Sequence, residues 1–147
     1  MTEFRFEIEG LDDFRRDLRR LSKDAPKAMT RAGKRAAQLV APRVQAAYAR
    51  RYRQRSGRGA RSIRAVATQR GAGVRIGGAR APYVVGQEFG SNKYRQFAPW
   101  SGPSASGRGS AGKFLYPTIR GLDDEILAFY AKELDVELVK VFREQSR

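Results

Sequence analysis

The side chains with the most to offer chemically in this chain are arginines. The 63 residues between Asp24 and Glu88 hold 15 Lys or Arg and no acid, and 11 of those 15 are arginines between Arg43 and Arg80. The densest stretch, ARRYRQRSGRGAR, carries Arg50, Arg51, Arg53, Arg55, Arg58 and Arg61. Outside this block bases and acids balance at 15 each, so the net charge of +15 belongs to the block alone. Guanidinium groups at that density suit a polyanion or an acidic protein surface, which they bind through charge-assisted, bidentate hydrogen bonds. The blander reading is a solvated helix end that keeps the chain soluble with Arg in place of Lys.

The acid that ends the block is Glu88, in APYVVGQEFGS. A lone carboxylate among arginines is expected to pair with one of them bidentately, within the subunit or across an interface. The alternative is a charge on an edge strand that discourages sheet aggregation. Other chemistry is thin. With no Cys and no His, disulfides, thiolate or imidazole metal sites, and Cys-His or Ser-His-Asp catalysis are excluded. Asp123, Asp124 and Glu125 form an acidic triplet, which a helix N-terminus explains better than a metal does. No catalytic residue, metal or cofactor is expected, and the chain does not read as an enzyme, because acid–base chemistry needs paired titratable groups with shifted pKa values.

The elements that must position these residues are legible in part. At 147 residues and 41% hydrophobic, the chain fits a single domain over 1–147. No run of 18 apolar residues occurs and MTEFRFEIEG has no secretory core, so synthesis in a cytoplasm without membrane insertion is expected. Alternation in FRFEIEG (Phe4, Phe6, Ile8) predicts a short first strand ended by Gly10. Leu11, Phe14, Leu18 and Leu21 predict a three-turn helix with Asp12 and Asp13 in its first turn. Asp24 as cap, Pro26, and an apolar stripe through Ala28, Met29, Ala32, Ala36, Leu39 and Val40 predict a long helix to about Arg53, kinked or broken near Gln38–Ala41 by Pro42.

Beyond the helix, Ser62–Thr68 and Gly73–Gly77 predict a hairpin turning at QRGAG. APYVVGQEFG alternates as a third strand beside it, with Glu88 on the face opposite Tyr83, Val85 and Phe89. Residues 91–113 read as a long Gly/Ser-rich loop whose apolar head, Tyr94, Phe97 and Trp100, docks on a partner or folds back on the domain itself. FLYP returns to a strand pattern, and LDDEILAFYAKELDVELVKVFREQ closes the chain as a second long helix with its acids at solvent spacing. The fold class is therefore α+β: a small antiparallel sheet, made of the hairpin plus flanking strands, packed on a long kinked N-terminal helix and a long C-terminal helix.

The order and spacing of these segments resemble one family, the neck or tail-component (tail-completion, head–tail joining) proteins of long-tailed double-stranded DNA bacteriophages. In that family the long helix leads into P-x-x-T-G-x-L-x-x-S-I. Here QRSGRGARSI keeps Gly57, Ser62 and Ile63, puts Ser56 for the Thr, and lacks the Leu and the Pro. The family's third strand reads Y-a-x-x-x-E-[FY]-G, matched by Tyr83, Glu88, Phe89 and Gly90. The likeness runs from Gly10 to about Leu138 and departs at the loop Ser101–Gly112.

The resemblance implies a structural virion protein, assembled in the host cytoplasm, that forms a homo-oligomeric ring, by default a hexamer. Such a ring sits between head-closure or connector proteins and the tail terminator or tail tube, with genomic double-stranded DNA in its channel. The arginine cluster would then face DNA or an acidic neighbouring ring. A tail terminator that caps the tube is a close alternative. A cellular non-specific double-stranded nucleic-acid-binding protein, ribosomal or nucleoid-associated, is the alternative from another class that the charge would also suggest.

Overall fold

The computed structural model describes residues 2–5, 10–52, 56–68, 71–100 and 112–145. The elements, in chain order, are β1 (Thr2–Arg5), α1 (Leu11–Leu21), α2 (Ala25–Arg51), α3 (Arg58–Arg61), β2 (Arg64–Thr68), β3 (Gly71–Ile76), α4 (Tyr83–Phe89) and α5 (Leu115–Gln145). The α+β class holds. A three-stranded antiparallel sheet in the order β1-β3-β2 packs on α2, and α5 packs along α2 as well.

Helix α2 organises the molecule. Its 27 residues span about 40 Å. Pro26 lies in the first turn, where its missing N–H costs nothing. Asp24 does not cap the helix with its side chain; Asp24 Oδ1 instead accepts from Lys27 Nζ at 3.0 Å. Of the kink or break expected at Pro42, the break does not occur: α2 is continuous from Ala25 to Arg51 with the proline inside it. Val40, Ala41 and Val44, on either side of the proline, are locked in the core, whereas Pro42 and Gln38 face solvent. Water can therefore take the Gln38 carbonyl that proline leaves without a donor.

Two apolar clusters form the core. One gathers Val40, Val44 and Tyr48 of α2 with Ile63, Val74, Ile76, Val84, Phe114, Leu115 and Ile126. The other sets the alanine stripe Ala25, Ala28, Ala32 and Ala36 against Leu18, Tyr130, Leu134 and Val141. Side chains this small let the helix axes approach closely, so the larger residues of α5 fill the space between. Helix α1 contributes less than its periodicity predicts: Leu18 is buried, but Phe14 is 40% and Leu21 71% exposed.

The hairpin pairs Arg64 with Arg75 and Thr68 with Gly71, and β1 adds to the other edge of β3 with Thr2 opposite Ile76 and Arg5 opposite Gly73. Val74 and Ile76 face inward as the alternation predicts. The strand begins at Gly71, earlier than Gly73, and Phe6 and Ile8 of the first-strand reading lie outside the described residues.

Two predicted strands are helices. Tyr83–Phe89 forms α4, with Pro82 at its N-cap and Gly90 (φ 81°) ending it. Val84 and Glu88, four apart, are buried together, a spacing that serves a helix face as well as a strand. In a seven-residue run the two periods cannot be separated by pattern alone. FLYP is likewise no strand: α5 starts at Leu115. Pro117 falls in its first turn, where an N–H is not needed.

Candidate functional site

The arginine cluster is positioned by α2, α3 and the exit of β3. Tyr48, near the end of α2, is 1% exposed and donates its hydroxyl to Gln87 Oε1 at 2.6 Å. Gly59 of α3 lies directly against that hydroxyl; a Cβ there would fall 2.1 Å from Tyr48 Oη, so only glycine lets α3 approach. Ser62 then ties the segment down: its hydroxyl donates to the Gly59 carbonyl at 2.6 Å and accepts from the Gly77 N–H at 3.2 Å. Gln45 Nε2 donates to the Ile63 carbonyl at 2.7 Å.

Between these fixed walls lies a groove of about 510 Å³ lined by Arg58, Arg61, Ser62, Arg64, Gly77, Gly78, Ala79, Arg80 and Ala81. All four arginines are exposed. Of the cluster read from sequence, Arg58 and Arg61 enter the groove. Arg50 and Arg51 end α2 outside its lining, with the Arg51 guanidinium 5.9 Å from the Tyr52 ring centroid. Arg53 and Arg55 lie outside the described residues. Arg64 and Arg80 are the residues that sequence reasoning missed. Both belong to the acid-free block, but they flank the hairpin 16 positions apart, and only the antiparallel return of β3 brings them together.

The charges divide along α2. Arg31 pairs with Glu137 (3.4 Å), Arg35 with Glu133 (2.6 Å) and Glu137 (2.9 Å), and Arg43 with Glu125. The last pair is bidentate, at 2.8 and 2.7 Å. Glu137 is 2% exposed and also meets Lys140 at 3.5 Å. The acids of α5 expected at solvent spacing therefore include three that neutralise α2. Asp123, Asp124 and Glu125 begin nine residues into α5, so the N-terminal dipole does not account for them, because its effect fades within the first turn. Among the described residues, Arg50, Arg58, Arg61, Arg64 and Arg80 have no ion-pair partner.

Among the described residues, Glu88 neither pairs with arginine nor guards a strand edge. It is fully buried on α4, and its carboxylate accepts four backbone N–H groups at the start of α5. Oε2 takes Lys113, Phe114 and Leu115 at 3.1, 2.9 and 3.0 Å, and Oε1 takes Tyr116 at 3.0 Å. Pro117 has no N–H to satisfy, so Glu88 answers the donors that a helix start leaves open. Gly112 (φ 87°) makes the approach possible, since a Cβ there would lie 2.1 Å from Glu88 Oε1.

The apolar head of the loop folds back on α4. The Phe97 ring covers Gly86, where a Cβ would meet it at 2.8 Å, and Trp100 lies 5.6 Å from Phe89 between ring centroids. Ser91 Oγ accepts from the N–H groups of Lys93 and Tyr94, and Asn92 Oδ1 from that of Trp100. Tyr94 and Trp100 remain half exposed. Residues 101–111 lie outside the described residues.

Among the described residues, no three His, Cys, Asp or Glu side chains are grouped to hold a metal ion, and no helix is long and apolar enough to cross a membrane. Compared with known proteins, the chain matches no family model, no curated relative and no solved structure.

Proposed function

We propose that this chain is a structural ring subunit of the neck of a long-tailed double-stranded DNA bacteriophage, joining the capsid connector to the tail tube while DNA passes through. The observation that carries this reading is the segregation of charge: α5 neutralises the arginines at 31, 35 and 43, while Arg58, Arg61, Arg64 and Arg80 are left for a partner. Repeated around a ring, such a face becomes a belt of positive charge suited to a polyanion in a channel. The order of the motifs supports the same family, and their residues have structural roles in this chain: Gly57 a left-handed turn, Ser62 a hydroxyl tie, Ile63 a core position and Glu88 the start of α5. In this proposal the ring is a hexamer by default, its neighbours are connector and tail terminator or tube proteins, and its site of action is the virion.

The test is assembly. Mass photometry of the purified chain with and without tail tubes should give discrete rings on the template, and a stable dimer under every condition would sink the proposal. R51Q/R53Q/R55Q should leave folding intact but give lysates rich in separate filled heads and finished tails.

A further inference from the structure

We infer that the groove formed by Arg58, Arg61, Arg64 and Arg80 grips the phosphodiester backbone of duplex DNA, without reading its bases. This deepens the proposed function, from which it takes only a polyanion as partner. The lining selects among polyanions. It holds four guanidinium groups, a serine, and otherwise only glycine and alanine. Proteins that hold single strands stack bases on aromatic rings, and the lining has no aromatic residue. Protein interfaces centre on buried aromatic or large apolar anchors, and the lining offers none.

A second copy of the chain is a poor occupant, because it brings its own +15 and its acids Glu125, Glu133 and Glu137 are already engaged by α2. Duplex phosphates meet the remaining requirement, since forked guanidiniums bind phosphate oxygens two at a time. The walls are rigid, held by the Ser62 hydroxyl and by the Ala81 N–H donating to the Gly78 carbonyl at 3.1 Å. Only the arginine heads need to adapt to the curvature of the duplex.

The experiment is fluorescence anisotropy of the full chain with a labelled duplex of arbitrary sequence, titrated between ~50 and 200 mM salt. R64Q/R80Q should reduce the slope of log affinity against log salt by about 1.8, or about 0.9 per phosphate contact removed. R64K/R80K, which keeps the charge, should restore most of the slope. A second duplex of different sequence should bind equally, whereas a single strand of the same length and polyglutamate should compete poorly. An unchanged slope in R64Q/R80Q would overturn the inference, as would polyglutamate or the single strand displacing the duplex more readily than unlabelled duplex does. R58Q, at a third lining residue, gives an independent measure of the slope should R64Q/R80Q fold poorly. Negative-stain microscopy on tail tubes reads the ring separately. Rings that form while duplex binding ignores the groove reject this inference and leave the ring, and groove-dependent binding without rings does the reverse.

Discussion

The Glu88 carboxylate accepts the Phe114 backbone N–H at 2.9 Å, within a run of four successive amides that all donate to it. One side chain from a short helix thus fixes where a 31-residue helix begins. Glu88→Gln replaces one acceptor oxygen with a donor that faces N–H groups, leaving buried amides unanswered. The expected loss is on the order of 3 kcal/mol in chemical denaturation, because buried unsatisfied donors and lost charge-assisted bonds each cost about 1–3 kcal/mol. Hydrogen exchange should accelerate first at residues 113–116. Unchanged stability would mean that α5 does not depend on this cap.

Gly59→Ala tests the fit of α3 on α2. The added methyl has no room beside Tyr48 Oη, so Tyr48 must move and its bond to Gln87 breaks. A loss of about 1–3 kcal/mol is expected from overpacking, with a change in near-ultraviolet tyrosine dichroism. A variant that melts like the wild type would refute the tight contact.

The ion pairs along α2 should be unequal. Arg43 and Glu125 are each nearly half exposed, so Arg43→Ala should cost no more than ~1 kcal/mol. Glu137→Ala removes the buried carboxylate shared by Arg31, Arg35 and Lys140, whose cationic ends stay about half exposed, and should cost more, roughly 2 kcal/mol, through lost charge-assisted bonds. Denaturant midpoints of the two variants decide the order, and equal losses would contradict it.

Alkaline pH should weaken the fold through tyrosine. Burial raises the Tyr48 hydroxyl from 10.0 to about 12, with the Gln87 hydrogen bond opposing the shift, and burial raises Tyr130 too. Below pH 10 folded and unfolded Tyr48 both keep the proton, so this group gives stability no pH dependence. Between about pH 10 and 12 the unfolded chain releases it first, and stability falls as pH rises. Tyr48→Phe should flatten much of that limb, at a cost of about 1 kcal/mol for the lost hydrogen bond. Melting temperature against pH, followed alongside tyrosinate absorbance, checks both.

What the sequence determined alone is what periodicity over many residues can carry. Helices α1 and α2 and the body of α5 repeat their apolar pattern long enough for one period to win, the hairpin is marked by the glycines of its turn rather than by length, and the confinement of the net positive charge to 63 residues needs no structure at all. Tertiary structure decided the short and the non-local. Tyr83–Phe89 and FLYP are too brief for the strand and helix periods to separate, and packing under Phe97 and the cap from Glu88 made both helical. Arg80 became a neighbour of Arg58, Arg61 and Arg64 only through the return of β3. Likewise, the acids that look solvated along α5 reach arginines about 80 to 106 positions away, a pairing that depends on how two helices lie together and is therefore invisible to any local pattern.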